Sequence, residues 1–321
     1  MNYLITGGTG FIGSYIAKRL LDEKHTVVAF DFQPSETSAQ EVLTPDELSR
    51  VKIVQGDVSD LDQLLRVCEE YKVERLIHMA AILAAETTGM VPNATKINCV
   101  GTTNVFEVAR RLNIPRVVWA SSTAVFGTAK DYSYEFLPND APHHPLSVYG
   151  ACKQFCEFIA NFYFRAYGLD SIGIRFPVVY GQGRLRGGGL FANEVINKPA
   201  LGQKGEVTFS PNPLNWLYPD DAARCVVMAS QAPHTETRVF TLSGELRTLN
   251  QIADIVRSLI PGADITVHTE FSKLEGSDMT HKFDASQVEK ELGFRPEWSI
   301  EAGVKATINK LRSKAGLSPV G

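Results

Sequence analysis

The chain opens on a short apolar run, Tyr3–Thr6, that leads straight into Gly7-Gly8-Thr9-Gly10-Phe11-Ile12-Gly13. A helical apolar pattern follows at once, over Ile12–Lys24. Gly7, Gly10 and Gly13 therefore mark a strand that turns directly into a helix. Such a turn needs glycine where φ is positive and where the backbone approaches another group closely. The helix N-terminus then presents free N–H groups and the positive end of its dipole, a natural seat for a pyrophosphate. Gly7, Thr9, Gly10, Phe11 and Ile12 are the expected contacts. Asp31 ends the next predicted strand, Val27–Asp31, 18 residues past Gly13. A carboxylate there accepts hydrogen bonds from ribose hydroxyls and repels a 2′-phosphate, and Phe32-Gln33 supplies no arginine to offset that. The expected cofactor is NAD rather than NADP, with Asp57 and Val58, after a third strand at Val51–Gln55, holding the adenine edge.

Strand and helix signals keep alternating. Helices are predicted over Leu61–Tyr71, Thr95–Leu112 and Val148–Ala166, and strands over Arg75–Met79, Arg116–Ser121 and Ser171–Phe176. Repeated units of this kind imply parallel strands joined by right-handed crossovers, a Rossmann-type doubly wound α/β sheet. After Gly181 the texture changes to a Gly/Arg-rich loop, Gln182–Gly189, then shorter elements: a loop or short strands over Lys204–Pro213, a helix over Asp220–Ser230, a strand over Thr237–Leu242, a helix over Leu249–Leu259, a strand over Asp264–Thr269 and a helix over Ala285–Leu292. The expected division is 1–181, with 214–242 returning to it, and a smaller substrate-binding lobe from 182–213 and 243–321.

A net charge of −4, with both signs mixed along the chain, gives no footprint for nucleic acid and no basic block for a membrane surface. No uninterrupted apolar stretch of about 18 residues suggests a membrane span. The start carries no charged and apolar leader. Five scattered cysteines, with Cys152 and Cys156 lacking the companions of a zinc site, read as reduced thiols. A cytoplasmic, metal-free protein is expected.

Tyr149 and Lys153 form a Y-x-x-x-K at the start of a helix, where residues four apart share a face. A phenol with an ordinary pKa of about 10 is a poor base near neutrality. A neighbouring ammonium and an oxidised nicotinamide both favour its phenolate. Ser121, Ser122 and Thr123 close the preceding strand, and ligands bind at strand carboxyl ends in open parallel sheets.

Thr6–Gly13, His78-Met79-Ala80-Ala81, Ser121–Gly127 and Ser147–Lys153 together resemble the extended short-chain dehydrogenase/reductase family, also called NAD-dependent epimerase/dehydratases. Ala285–Pro296 is similar to that family's C-terminal element. The resemblance implies that Tyr149 is the general acid/base and that Lys153 lowers its pKa and binds the nicotinamide ribose. Ser122 would orient the substrate oxygen, with Ser121 or Thr123 sharing the task. Asn98 matches the family's helix asparagine, and Ala80, Ala81 and Phe176 would line the cofactor.

The same residues serve a dehydrogenase and a nucleotide-sugar 4-epimerase. The family's nucleotide-sugar members carry an asparagine where this chain has Val178, and an arginine where it has Asn215. The favoured expectation is therefore a dehydrogenase for a small polyhydroxy substrate, a sugar, sugar acid or hydroxy acid, with Arg184 and Arg186 gripping a carboxylate. An epimerase with tightly bound NAD is the alternative. Ser122-Thr123-Ala124 lacks the extra acid and base of a dehydratase. A catalytically silent NAD-binding module is a third reading, weakened by the presence of both Tyr149 and Lys153. Phe155, Phe158 and Phe162 share the helix face opposite the chemistry. With the resemblance, they predict a homodimer through the helices at 95–112 and 148–166.

Overall fold

The computed structural model describes residues 1–34, 38–87, 89–270 and 281–321. Its strands are β1 (Asn2–Thr6), β2 (Thr26–Asp31), β3 (Lys52–Gln55), β4 (Arg75–His78), β5 (Val117–Ser122), β6 (Ser171–Phe176), β7 (Val178–Val179), β8 (Gly205–Phe209), β9 (Leu214–Leu217), β10 (Val239–Thr241), β11 (Glu245–Arg247) and β12 (Ile265–Thr269). Seven of these form one sheet in the order β10-β6-β5-β4-β1-β2-β3, every pair parallel. The doubly wound sheet expected from the alternation of elements is present.

Parallel strands covered on both faces read as almost unbroken apolar runs. Their side chains still divide by a period of two. Ile5, Val27, Ala29, Ile77, Val118 and Ile172 pack on one face with the helices Phe11–Asp22 and Pro219–Gln231. Leu4, Val28, Phe30, Leu76, Val117 and Trp119 pack on the other with Leu61–Glu70, Thr102–Arg111 and Val148–Tyr167. Strand order reverses between β1 and β4, so the carboxyl ends of these two strands open a crevice. A Cβ on Gly7 would lie 2.8 Å from the Ala80 backbone nitrogen, so the two strand ends meet there almost backbone to backbone.

Within residues 214–242, the helix Pro219–Gln231 and β10 belong to the large sheet, whereas β9 pairs with β7 and β11 in a three-stranded sheet. The remaining pair, β8 and β12, is parallel. Val195, Ile196, Trp216, Ile252, Val256, Val304 and Ile308 form a separate core beneath these small sheets. The helix Ile300–Lys314 was not anticipated, nor were the short helices Ala39–Val42 and Pro45–Arg50. The long helix expected over Thr95–Leu112 starts at Val91 and is broken by a π-helical stretch, Lys96–Gly101, which contains Asn98. Among the described residues, no helix is long and apolar enough to cross a membrane, and no group of three or more His, Cys, Asp or Glu could hold a metal ion.

Candidate active site

The glycine turn is built by close contact. Gly7 has φ +65°, which L side chains avoid. A Cβ on Gly13 would fall 2.2 Å from the Gly7 carbonyl oxygen, and one on Gly8 would fall 2.7 Å from that of Ile5. The first helix begins at Phe11, and no side chain caps its first turn. Its N-terminal dipole end and N–H groups thus face the crevice, as an anionic ligand requires.

Asp31 lies at the end of β2 and is not a loose surface carboxylate. Its Oδ2 accepts from the Thr9 hydroxyl at 2.6 Å and from the Thr9 N–H at 3.3 Å. Thr9 is buried, with both its hydroxyl and its N–H turned to this carboxylate. Asp57 caps its own turn, Oδ1 accepting from the Ser59 N–H at 2.8 Å. Val58 is buried, and its carbonyl accepts from Asn104 Nδ2 at 3.0 Å.

Across the crevice, Ser147 caps the helix Val148–Tyr167 by accepting from the Gly150 N–H, which sets Tyr149 in the first turn. A Cβ on Gly150 would sit 2.2 Å from the Ala124 carbonyl oxygen, so this helix end is pressed onto the segment leaving β5. Lys153 is only 1% exposed. Its Nζ donates to the Ala120 carbonyl at 2.7 Å and lies 5.6 Å from the centroid of the Tyr149 ring. An ammonium has three donors, and this bond aims the group without exhausting them.

The three hydroxyls at the end of β5 diverge. Ser121 is buried and donates to Glu157 Oε1 at 2.6 Å. Thr123 donates to the Phe176 carbonyl at 3.3 Å. Ser122 is half-buried, and its oxygen accepts from the Ala124 N–H at 3.1 Å, which leaves its proton available. Asn98 is fully buried and spends both ends of its amide on Ile82, accepting from its N–H and donating to its carbonyl, each at 2.9 Å. These two bonds tie Asn98 to the segment that follows β4. Phe176, nearly buried, closes β6 beside Ser122. Of the two loop arginines, Arg186 is exposed, whereas Arg184 is folded inward over the Phe11 ring, its guanidinium carbon 5.5 Å from the centroid.

Two groups beneath the site were missed in the sequence. Glu157 and Arg175, both almost wholly buried, form a two-pronged ion pair at 2.6 and 2.8 Å. The signal was a glutamate one turn beyond Lys153 and an arginine inside an otherwise apolar strand. His78 is held between the Thr6 and Thr102 hydroxyls at 2.6 and 2.9 Å. Burial, with the Lys153 charge second, pushes its pKa down to about 3, so the ring is neutral.

Comparison with known proteins identifies the family. The family model described as NAD dependent epimerase/dehydratase matches residues 3–242. The UDP-glucose 4-epimerase of Mycolicibacterium smegmatis is 26% identical, over 98% of this chain and 100% of its own. The UDP-glucose 4-epimerase of Thermotoga maritima, solved with UDP-glucose, shares the fold with a TM-score of 0.85 at 23% identity, covering 98% of this chain and 100% of that one. A GalE-like L-threonine dehydrogenase from Cupriavidus necator gives 0.85 at 23% identity, covering 97% and 100%. With the match spanning most of the sequence, the glycine cradle and the Asp31 carboxylate in place, this chain is an enzyme of the NAD-dependent epimerase/dehydratase family, the extended short-chain dehydrogenase/reductases, and its cofactor is NAD.

Proposed function

We propose that the enzyme moves a hydride at a secondary alcohol or ketone carbon of a small polyhydroxy substrate, with Ser122, Tyr149 and Lys153 as its working groups. The observation that carries this reading is Lys153 Nζ, 2.7 Å from the Ala120 carbonyl near the end of β5 and 5.6 Å from the centroid of the Tyr149 ring, with Ser122, two residues along that strand, keeping an unspent proton. The cradle of Gly7, Gly10, Phe11 and Ile12 would hold the cofactor pyrophosphate, Asp31 its adenine ribose, Asp57 and Val58 the adenine edge, and Ala80, Ala81 and Phe176 its nicotinamide half. NAD, when bound, supplies a hydride acceptor. Ser122 donates its free proton to the substrate oxygen and fixes that oxygen beside Tyr149. Tyr149 takes the alcohol proton in oxidation and returns one in reduction. Lys153, held by the Ala120 carbonyl, keeps its ammonium beside the Tyr149 ring and within reach of the nicotinamide ribose.

A nucleotide-sugar 4-epimerase uses the same groups, and the activity of the M. smegmatis relative supports that second reading. Two features of this chain weigh against it. Val178 offers no hydrogen bond from its side chain, and Asn215 is already engaged, its amide donating to the Ser243 hydroxyl at 3.2 Å and its carbonyl accepting from the Gly244 N–H at 2.6 Å. A nucleotide diphosphate would lose the contacts those positions supply. NADH absorbance on adding NAD with a panel of sugars, sugar acids and hydroxy acids tests the first reading. Incubation with UDP-glucose, followed by the epimer ratio, tests the second. In either assay Tyr149→Phe should lower turnover by ~10²–10⁴-fold while NADH binding is retained. Full activity with the bare phenyl ring would refute Tyr149 as the acid–base group in both readings, and no turnover by the unaltered enzyme in either assay would leave a cofactor-binding module.

The reading includes a homodimer. Phe155, Phe158 and Phe162 are 40%, 64% and 44% exposed on the face of Val148–Tyr167 away from Tyr149, an apolar stripe suited to a symmetry mate. Five free cysteines, four of them buried, suit a reducing compartment such as the cytoplasm.

A further inference from the structure

We propose that His78, with its proton on Nε2, is a positioning residue for the cofactor. Through Thr6 it sets the glycine turn against Ala80, and through Thr102 it takes its own orientation from the helix segment of Asn98. The inference rests on the glycine turn as the seat of NAD and holds for a dehydrogenase and an epimerase alike.

His78 ends β4 directly beside Thr6, the last residue of β1. Just beyond them Gly7 and Ala80 meet across the crevice. Two bonds from Thr6 govern that approach: its carbonyl accepts from the Met79 N–H at 2.9 Å and its hydroxyl oxygen from the Ala80 N–H at 3.4 Å. A chain of buried polar groups continues from the same hydroxyl. Thr6 Oγ1 lies 2.6 Å from His78 Nδ1, and His78 Nε2 lies 2.9 Å from Thr102 Oγ1. The Thr102 hydroxyl donates to the Asn98 carbonyl at 2.6 Å. The Cys156 thiol, three residues beyond Lys153 on the helix Val148–Tyr167, donates to the same carbonyl at 3.2 Å. Thr6, His78, Asn98, Thr102 and Cys156 are each at most 2% exposed, so bulk water completes none of these bonds.

Counting protons gives the chain one direction. A threonine hydroxyl has a single proton, and a neutral imidazole has one N–H and one bare nitrogen. Burial keeps the His78 ring neutral. Thr102 spends its proton on Asn98, so its oxygen accepts from Nε2–H. Nδ1 is then bare, and Thr6 donates to it. The Thr6 oxygen is left to accept from Ala80. In the other tautomer Nδ1–H would donate to Thr6, whose own proton would have no acceptor among the described residues, since the Ala80 N–H can only donate. A buried hydroxyl without an acceptor is costly, so the ring and both hydroxyls settle in one arrangement. The helix segment of Asn98 thereby fixes which way the Thr6 hydroxyl points, at the root of the glycine turn.

NADH is the probe, titrated by its fluorescence, with urea midpoints measured on the same samples. In His78→Asn the amide oxygen takes the place of Nδ1 and keeps the Thr6 bond. In His78→Gln the amide nitrogen takes the place of Nε2 and keeps the Thr102 bond. Each variant loses one buried bond, and both midpoints should fall. Cofactor affinity should part them: His78→Gln should weaken NADH by about tenfold, and His78→Asn by less than about twofold. Thr6→Val, which removes the hydroxyl and keeps the shape, should reproduce His78→Gln, and Thr6→Ser should bind as wild type does. This second pair decides the matter where a His78 variant does not fold. Equal NADH affinities in the Asn and Gln variants would overturn the proposal. So would affinities that merely follow the midpoints, or undiminished binding by Thr6→Val. Gly10→Ala tests the cradle separately. Gly10 has φ −75°, and a Cβ there would stand 3.1 Å from the Gly7 carbonyl oxygen, at the start of the first helix. It should weaken NADH by itself. Unchanged binding by Gly10→Ala would remove the glycine turn as the cofactor seat, and the role of His78 with it. Weakened binding there, with the two His78 variants alike, would remove the role of His78 alone.

Discussion

Replacing Glu157 with leucine should destabilise this enzyme far more than its distance from the reacting atoms suggests. Glu157 accepts three hydrogen bonds: from Arg175 Nη2 at 2.6 Å, from Arg175 Nε at 2.8 Å and from the Ser121 hydroxyl at 2.6 Å. Both charged side chains are only 6% exposed. Arg175 would keep its Nη1 bonds to the Asn139 carbonyl and the Thr241 hydroxyl and its place over the Phe126 ring, but none of these carries a negative charge. His143 Nε2, 3.1 Å from Nη2, is no substitute. An uncompensated buried guanidinium costs about 3–5 kcal/mol. Removing it as well, in Glu157→Leu with Arg175→Met, replaces the pair by apolar groups of similar bulk, with about 1–3 kcal/mol charged for the Asn139 carbonyl left behind. The double variant should therefore be more stable than Glu157→Leu alone, and the double-mutant cycle should give a coupling of at least ~2 kcal/mol. Urea midpoints read by tryptophan fluorescence supply the numbers, since Trp119 lies on β5 beside the pair. Loss of the Ser121 anchor, one residue from Ser122, should also lower kcat by about tenfold or more in the single variant, because small displacements at a reacting centre are expensive. Strictly additive single-variant effects would show that the ion pair is not the unit argued for here.

Three further outcomes follow from the site. Asp31→Ser should weaken NADH binding by roughly 10–100-fold, the loss of charged ribose bonds, while improving NADPH relative to NADH; an unchanged NADH/NADPH ratio in fluorescence titrations would remove Asp31 from the ribose site. His78 titrates near 6.5 when unfolded and about 3 when folded, so the unfolded chain binds the extra proton between those values. Its contribution to stability is complete above pH 6.5 and is lost as pH falls towards 3; His78→Gln should flatten urea midpoints between pH 6.5 and 4.5, and an unaltered slope would refute the assignment. Charged replacement of Phe158 and Phe162, both exposed, should give monomers in sedimentation, and a persistent dimer would move the interface elsewhere.

The large domain was legible because local signals and long-range packing agree there. The inner strands of the parallel sheet are largely apolar runs ended by glycine or a polar turn, and the crossover helices carry their stripes, so periodicity predicts the layers. The small sheets were harder to read for a physical reason. β7 has two residues and β11 three, too short for any alternation, and they pair with β9 from distant parts of the chain. The same division runs through the site. Gly13, Asp31 and Lys153 declare themselves because each answers a local constraint: a close backbone approach, a strand end, a helical spacing of four. The fates of Ser121, Ser122 and Thr123 could not be separated in sequence, since three adjacent hydroxyls differ only in what lies opposite each. Glu157 takes the first, the Phe176 carbonyl the third, and the middle one is left with a proton to give. Arg184 and Arg186 are distinguished in the same way, by the Phe11 ring and the bare Cα of Gly189 beneath one of them. In this enzyme the sequence spacing marks which groups can react, and the buried partners decide which of them are free to do so.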